Sequence, residues 1–201
     1  MGTLNFEVKE ILEKYIKWIE NEEWDKFFER IQEDYIPQII AEVARTLESA
    51  DVFPLPLLSF IPEGYFRNSS IKEFITPSNI KRVCYKAFYA SDVENVHITG
   101  NVYDVNQYAF EWCGLLESII FDEGVKYIDD AVFYACDKLT KVVLPKSLER
   151  LGHNVFNGCS KLTEITYNGT CQDWRKIHNH EFVNEGSYIS KIICSDDIII
   201  L

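Results

Sequence analysis

Residues 132–142 read Val132-Phe133-Tyr134-Ala135-Cys136-Asp137-Lys138-Leu139-Thr140-Lys141-Val142, and the same plan stands on either side of them. Upstream, Ala109-Phe110 is followed by Cys113, Leu116 and Ile119 at matching offsets; downstream, Val155-Phe156 is followed by Cys159, Leu162 and Ile165. The alignment needs no gap. Two earlier copies are one residue shorter beyond the phenylalanine: Phe88, Ser91, Val93, Val96 and Ile98, then Phe66, Ser69, Ile71 and Phe74. Phenylalanine therefore recurs at spacings of 22, 22, 23 and 23 residues. Apolar pairs also stand eight and five positions before each one: Leu58/Ile61, Ile80/Val83, Val102/Val105, Val125/Ile128 and Leu148/Leu151. A unit this short cannot bury its apolar face alone. A fixed period of this length therefore implies stacked units sharing one continuous core.

The pattern Ala/Val-Phe-x-x-Cys-x-x-Leu-x-x-Ile/Val closely resembles the BspA-like, or Treponema pallidum type, leucine-rich repeat. The likeness runs from about Leu58 to Thr170, and Tyr167-Asn168-Gly169-Thr170-Cys171-Gln172-Asp173-Trp174 followed by Ile192-Ile193-Cys194 is similar to the C-terminal cap usual in that family. The resemblance implies an α+β chain: a leucine-rich-repeat solenoid of about five units with one short parallel strand each, between an N-terminal helical cap and a C-terminal cap. The expected boundaries are 1–56 for the helical region, 57–170 for the repeats and 171–201 for the cap. Many members of that family are surface proteins, which makes an extracellular adhesin one expected function.

Leu139-Thr140-Lys141-Val142-Val143-Leu144 alternates with period two, as a half-buried strand does. Val142 and Leu144 then point inward, as do Ile119/Phe121, Ile165/Tyr167 and Val96/Ile98, and the intervening residues form two outward columns. One column is Ile75, His97, Ile120, Val143 and Thr166; the other is Glu73, Asn95, Ser118, Lys141 and Glu164. The first is half apolar, and an apolar stripe on an open sheet is a candidate contact site. The partner-binding residues read from this face are Ile75, His97, Ile120, Lys141, Val143 and Thr166. The phenylalanines are expected to form a core ladder. Cys113, Cys136 and Cys159 share a slot filled by Ser69 and Ser91 in the shorter copies, which makes them small packing residues. Cys84, Cys171 and Cys194 fall outside that slot, and whether the last two pair is open.

The chain carries 32 acidic and 20 basic residues, a net charge of −12. Residues 1–60 hold 13 acids and 6 bases, or −7, against −5 for the rest. Helical apolar spacing runs through Leu4, Val8, Ile11, Tyr15 and Ile19, then Trp24, Phe27, Phe28 and Ile31, then Ile39, Val43 and Leu47. Asp51-Val52-Phe53-Pro54-Leu55-Pro56 breaks the pattern and hands the chain to the repeats. Glu20, Glu22, Glu23, Asp25 and Glu29 read either as the solvated side of a helix or as an acidic face that docks a basic partner.

Such an acidic balance disfavours direct nucleic-acid binding and an anionic membrane surface. The first residues carry acids where a secretion signal needs an apolar core, so a cytoplasmic setting is expected. His178-Asn179-His180 lacks accompanying ligands, His97 and His153 lack a nucleophile arrangement, and no phosphate loop, hydrolase elbow or zinc spacing occurs. No enzyme activity, metal or cofactor is expected. The expected function is a non-enzymatic protein-binding module, in its sharpest form an intracellular inhibitor from a phage or mobile element that occupies a host protein or nucleoprotein. The alternatives are the adhesin and an acidic nucleic-acid mimic acting through the N-terminal helices. Ile198–Leu201 reads as an uncovered edge able to pair with a second copy.

Overall fold

The computed structural model describes residues 59–201. The expected N-terminal helices, their acidic face and the breaker before the repeats lie outside the described residues.

Each repeat lays down a longer strand and a two-residue strand. The longer ones are β2 (Glu73–Ile75), β4 (Asn95–Ile98), β6 (Ser118–Phe121), β8 (Lys141–Leu144) and β10 (Glu164–Tyr167). The short ones are β1 (Phe60–Ile61), β3 (Arg82–Val83), β5 (Asp104–Val105), β7 (Tyr127–Ile128) and β9 (Arg150–Leu151). The C-terminal segment adds the helix α1 (Cys171–Trp174), a 3-10 turn at His180–Phe182, and the strands β11 (Lys191–Ile193) and β12 (Ile198–Ile200). The longer strands, β11 and β12 form a seven-stranded sheet in the order β12-β11-β10-β8-β6-β4-β2, and the short strands form a second sheet, β1-β3-β5-β7-β9. All pairings are parallel except β11 with β12. β11 is a sixth rung of the larger sheet, although its residues lack the phenylalanine motif. The short strands extend the one-strand-per-unit expectation: two residues cannot display a period, yet Ile61, Val83, Val105, Ile128 and Leu151 from those strands are all buried.

A third side of each coil is built around its phenylalanine. The Phe66 N–H donates to the Ala87 carbonyl at 2.7 Å, Phe88 to Ala109 at 2.7 Å, Phe110 to Val132 at 2.9 Å and Phe133 to Val155 at 2.9 Å. Two corners flank it. Lys86, Tyr108, Ala131 and Asn154, each two residues before a phenylalanine, have φ between 52° and 60°; Asn68, Ala90, Trp112 and Ala135, each two residues after one, lie between 54° and 63°. Left-handed backbone at so many non-glycine positions is costly for isolated residues. Here stacking of identical corners holds it in place. No β-branched residue occupies any of these eight positions.

The core is a set of ladders along the stack. Phe66, Phe88, Phe110, Phe133 and Phe156 stack ring on ring, with centroids 4.7, 4.7, 5.5 and 5.5 Å apart and interplanar angles of 23° or less. Beside them runs the expected small-residue slot. The thiols of Cys113, Cys136 and Cys159 donate to the Phe88, Phe110 and Phe133 carbonyls at 3.0, 3.2 and 3.1 Å. Serine in the shorter copies fits the same place, and Ser91 Oγ lies 3.4 Å from Cys113 Sγ. Burial pushes the Cys113 thiol up to about 11 and that of Cys136 well above its ordinary range. These cysteines are packing residues.

Candidate interaction face

The strands of the larger sheet alternate as their sequences require. Phe74, Val96, Ile98, Ile119, Phe121, Val142, Leu144, Ile165 and Tyr167 are buried, and their neighbours turn outward. Strand register then aligns the outward residues. Ile75 pairs with His97, His97 with Ile120, Ile120 with Val143 and Val143 with Thr166. The column continues beyond the repeats: Thr166 pairs with Ile193, and Ile193 with Ile198 on β12. Six strand spacings of about 4.8 Å make it about 29 Å long. Ile75, 66% exposed, marks one end, and Ile198, 50% exposed, the other. The extension to Ile193 and Ile198 is not legible in the sequence, because β11 carries no phenylalanine motif to set its register.

The second outward column runs Glu73, Asn95, Ser118 and Lys141 in register, and Glu164 pairs with Lys191. It is largely self-satisfied. Ser118 Oγ donates to Asn95 Oδ1 at 2.7 Å, and Lys191 Nζ lies 2.7 Å from Glu164 Oε2. Lys141 is exposed beside Ser118. Within the apolar column, His97 Nε2 is 2.8 Å from Asp122 Oδ1, so its ring is held by an acid at the end of the next strand. The structure thus brings Ile75, His97, Ile120, Lys141, Val143 and Thr166 onto one face. Glu20, Glu22, Glu23, Asp25 and Glu29 lie outside the described residues.

The outer side of the short-stranded sheet has a different character. Arg82 Nε sits 3.0 Å from Asp104 Oδ2 and its Nη2 donates to the Tyr103 hydroxyl at 2.7 Å; Arg150 pairs with Asp129, and Lys126 Nζ lies 2.8 Å from Glu149 Oε1. Charge there is matched between successive coils. The Lys126 ammonium holds the Glu149 carboxyl below its ordinary value, while burial raises Asp129 against the opposing pull of Arg150.

The C-terminal segment closes the apolar end of the stack. Trp174 on α1 is buried and meets Tyr167 edge-on at 5.3 Å. Gly169 permits this approach, because a Cβ there would come within 2.6 Å of the Tyr167 ring. Thr170 caps α1 by accepting the Asp173 N–H at 3.1 Å, and Lys176 with Thr170 holds the Asp173 carboxyl well below the usual carboxylate range. A cleft of about 300 Å³ lies beside this cap, lined by Trp174, Arg175, His180, Glu181, Asn184, Ile199 and Leu201. His180 belongs to it, but its Nδ1 is engaged by the Ile177 carbonyl at 3.0 Å. His178 is not among the lining residues.

Cys171 and Cys194, whose pairing the sequence left open, are free thiols brought together at this end, and Asp196 joins them. Burial and the neighbouring Cys171 push the Cys194 thiol up to about 12. Among the described residues no helix is long and apolar enough to cross a membrane.

Comparison with known proteins places this arrangement. The family model described as the BspA type leucine rich repeat region matches residues 59–198 in six copies, one more than the five units counted from phenylalanines. A comparison with the curated proteins returns no match. Among solved structures, the chain is similar to the pneumococcal vaccine antigen PcpA, with 20% identity and a TM-score of 0.52, over 55% of this chain and 27% of that one. It also matches a leucine rich cell surface protein from Faecalibacterium prausnitzii (22% identity, TM-score 0.36, 55% of this chain and 36% of that one). A third match is the T. pallidum leucine-rich-repeat protein (24% identity, TM-score 0.36, 47% of this chain and 57% of that one). The chain spans between about a quarter and three fifths of the length of these structures.

Proposed function

The chain belongs to the BspA-type leucine-rich-repeat family, and from that premise we propose that it is a protein-binding module whose contact surface is the open face of the seven-stranded sheet. Repeats of this class are generally non-enzymatic binding modules. The observation that carries the reading is the registered column from Ile75 through Ile120 and Val143 to Ile198, apolar at five of its seven positions and open where the opposite sheet has its charges matched. A rigid stack presents these side chains already ordered, which lowers the cost of association.

Size limits the affinity. Two columns about 29 Å long on strands of about three to four residues offer about 300 Å², well under the roughly 800 Å² that one partner contributes to a standard interface. A tight complex therefore has to spread onto the adjoining loops. The sheet face has few unpaired charges, so binding through it depends weakly on salt. Binding through Glu20, Glu22, Glu23, Asp25 and Glu29 instead falls steeply with salt, as a docked basic partner or nucleic-acid mimicry requires.

Two settings fit such a face. The acidity of residues 1–60 favours an intracellular inhibitor from a phage or mobile element, acting by occupying a host protein or nucleoprotein. Membership of the BspA-type repeat family favours attachment outside the cell. A photocrosslinking amino acid at position 120, compared with one at position 127 on the opposite sheet, tests the face in either setting. An adduct with the partner from position 120 alone is expected; an adduct from position 127 alone overturns the proposal.

A further inference from the structure

Cys171 opens α1 and Cys194 directly follows β11, and neither occupies a repeat position. Their Sγ atoms and a carboxylate oxygen of Asp196 all lie within 4.8 Å of one another. The backbone holds the three in place. The Cys171 N–H donates to Asp196 Oδ1 at 2.8 Å, the Ser195 N–H to the Gly169 carbonyl at 2.9 Å, and the Cys194 N–H to the Asp197 carbonyl at 2.9 Å. The ladder cysteines differ in every respect: Cys113, Cys136 and Cys159 are fully buried, spend their S–H on carbonyls and are spread along the stack.

We propose that Cys171, Cys194 and Asp196 form a binding site for a thiophilic divalent cation of the zinc class. A tetrahedral ion with zinc–sulfur bonds of about 2.3 Å holds its sulfurs roughly 3.8 Å apart, so the three donors need only a small adjustment to converge. Two thiolates with one carboxylate select a borderline-soft ion over magnesium or calcium. Asp196 is oriented by the peptide N–H of the very cysteine it joins, the kind of outer support that fixes a ligand's direction. Binding displaces both thiol protons to solvent, and water fills the fourth position. Two thiolates, one carboxylate and a divalent ion sum to −1, and Arg175, whose charge reaches Cys194, offsets it. The ion would brace the start of α1 against the turn between β11 and β12, fixing the edge strand that carries Ile198.

Cobalt(II) titrated into the full, reduced chain reports on this site through sulfur-to-cobalt charge transfer. The expected result is saturation at about one equivalent with the visible pattern of a tetrahedral ion, displaced by zinc. Cys171→Ser and Cys194→Ser should each remove the tetrahedral signal, Asp196→Asn should weaken binding at least about tenfold, and Cys84→Ser should leave it intact. Zinc should raise the thermal midpoint of the wild type and of Cys84→Ser but not of Cys194→Ser, with circular dichroism confirming that each variant is folded. Absence of a charge-transfer band at equimolar cobalt overturns the proposal. So does persistence of that band in both Cys171→Ser and Cys194→Ser, or closure of the pair to a disulfide, read as a two-dalton loss, with stoichiometric zinc present.

Discussion

Replacing Phe133 by alanine removes an interior rung of the aromatic ladder, the fourth of five. Its ring is fully buried, stacked 5.5 Å from Phe110 on one side and 5.5 Å from Phe156 on the other, and meets Phe121 edge-on at 6.2 Å. Truncation of a buried phenylalanine costs about 3–5 kcal/mol, and loss of several aromatic contacts places this one toward the upper end. At about 4 kcal/mol the folding constant falls roughly a thousandfold, a large part of an ordinary domain's stability. Urea unfolding of the full chain, followed by circular dichroism, measures it as a fall in midpoint at constant slope. Stacking also predicts coupling. Phe110→Ala combined with Phe133→Ala should depart from additivity because the rings touch, whereas Phe66→Ala with Phe133→Ala should add, with two coils between them. A loss below about 1.5 kcal/mol, or full additivity of the adjacent pair, would refute the ladder as the main source of cohesion.

Two further outcomes follow from local chemistry. Gly169→Ala drives a methyl group to within 2.6 Å of a Tyr167 ring that is itself packed against Trp174, so it should destabilise the cap by about 1–3 kcal/mol; an unchanged urea midpoint would contradict this. The buried thiols make stability fall at alkaline pH. Cys113 and Cys84 are raised to about 11 by burial and Cys136 is likewise raised well above its ordinary range, against about 8.5 in the unfolded chain, so the folded state holds protons that the unfolded state releases. Their contribution is complete below about pH 8.5 and lost as pH rises through 11. The thermal midpoint should drop between pH 8.5 and 11, and less so in Cys136→Ser; a flat profile would remove the thiols from the account.

What is legible in the sequence is what repeats. Phe66 to Phe156 announce the ladder because stacking forces one large residue into one position per coil, and the exchange of Ser91 for Cys113 announces a small slot. The outward columns follow from period two alone. The short strands escape because Arg82–Val83 and its counterparts are too brief to show alternation. The left-handed corners escape because Lys86, Tyr108 and Trp112 are not residues that signal such backbone; they adopt it under pressure from the coils above and below. β11 is hidden as a rung because its register comes from pairing with β10, and the meeting of Cys171 with Cys194 and Asp196 depends on that same hairpin. The partner stays beyond reach of the sequence because binding is a property of two surfaces, and only one is encoded here.

The central claim is that the open sheet face makes the contact. With the crosslinked partner purified, its affinity for the wild type can be compared with that for Ile120→Asp/Val143→Asp and for a control, Tyr103→Asp, on the charge-matched side. The account predicts at least about a thirtyfold rise in Kd for the double substitution, equivalent to losing about 2 kcal/mol at a contact centre, with the fold intact and the control unchanged. Unchanged affinity in a folded Ile120→Asp/Val143→Asp protein would contradict it.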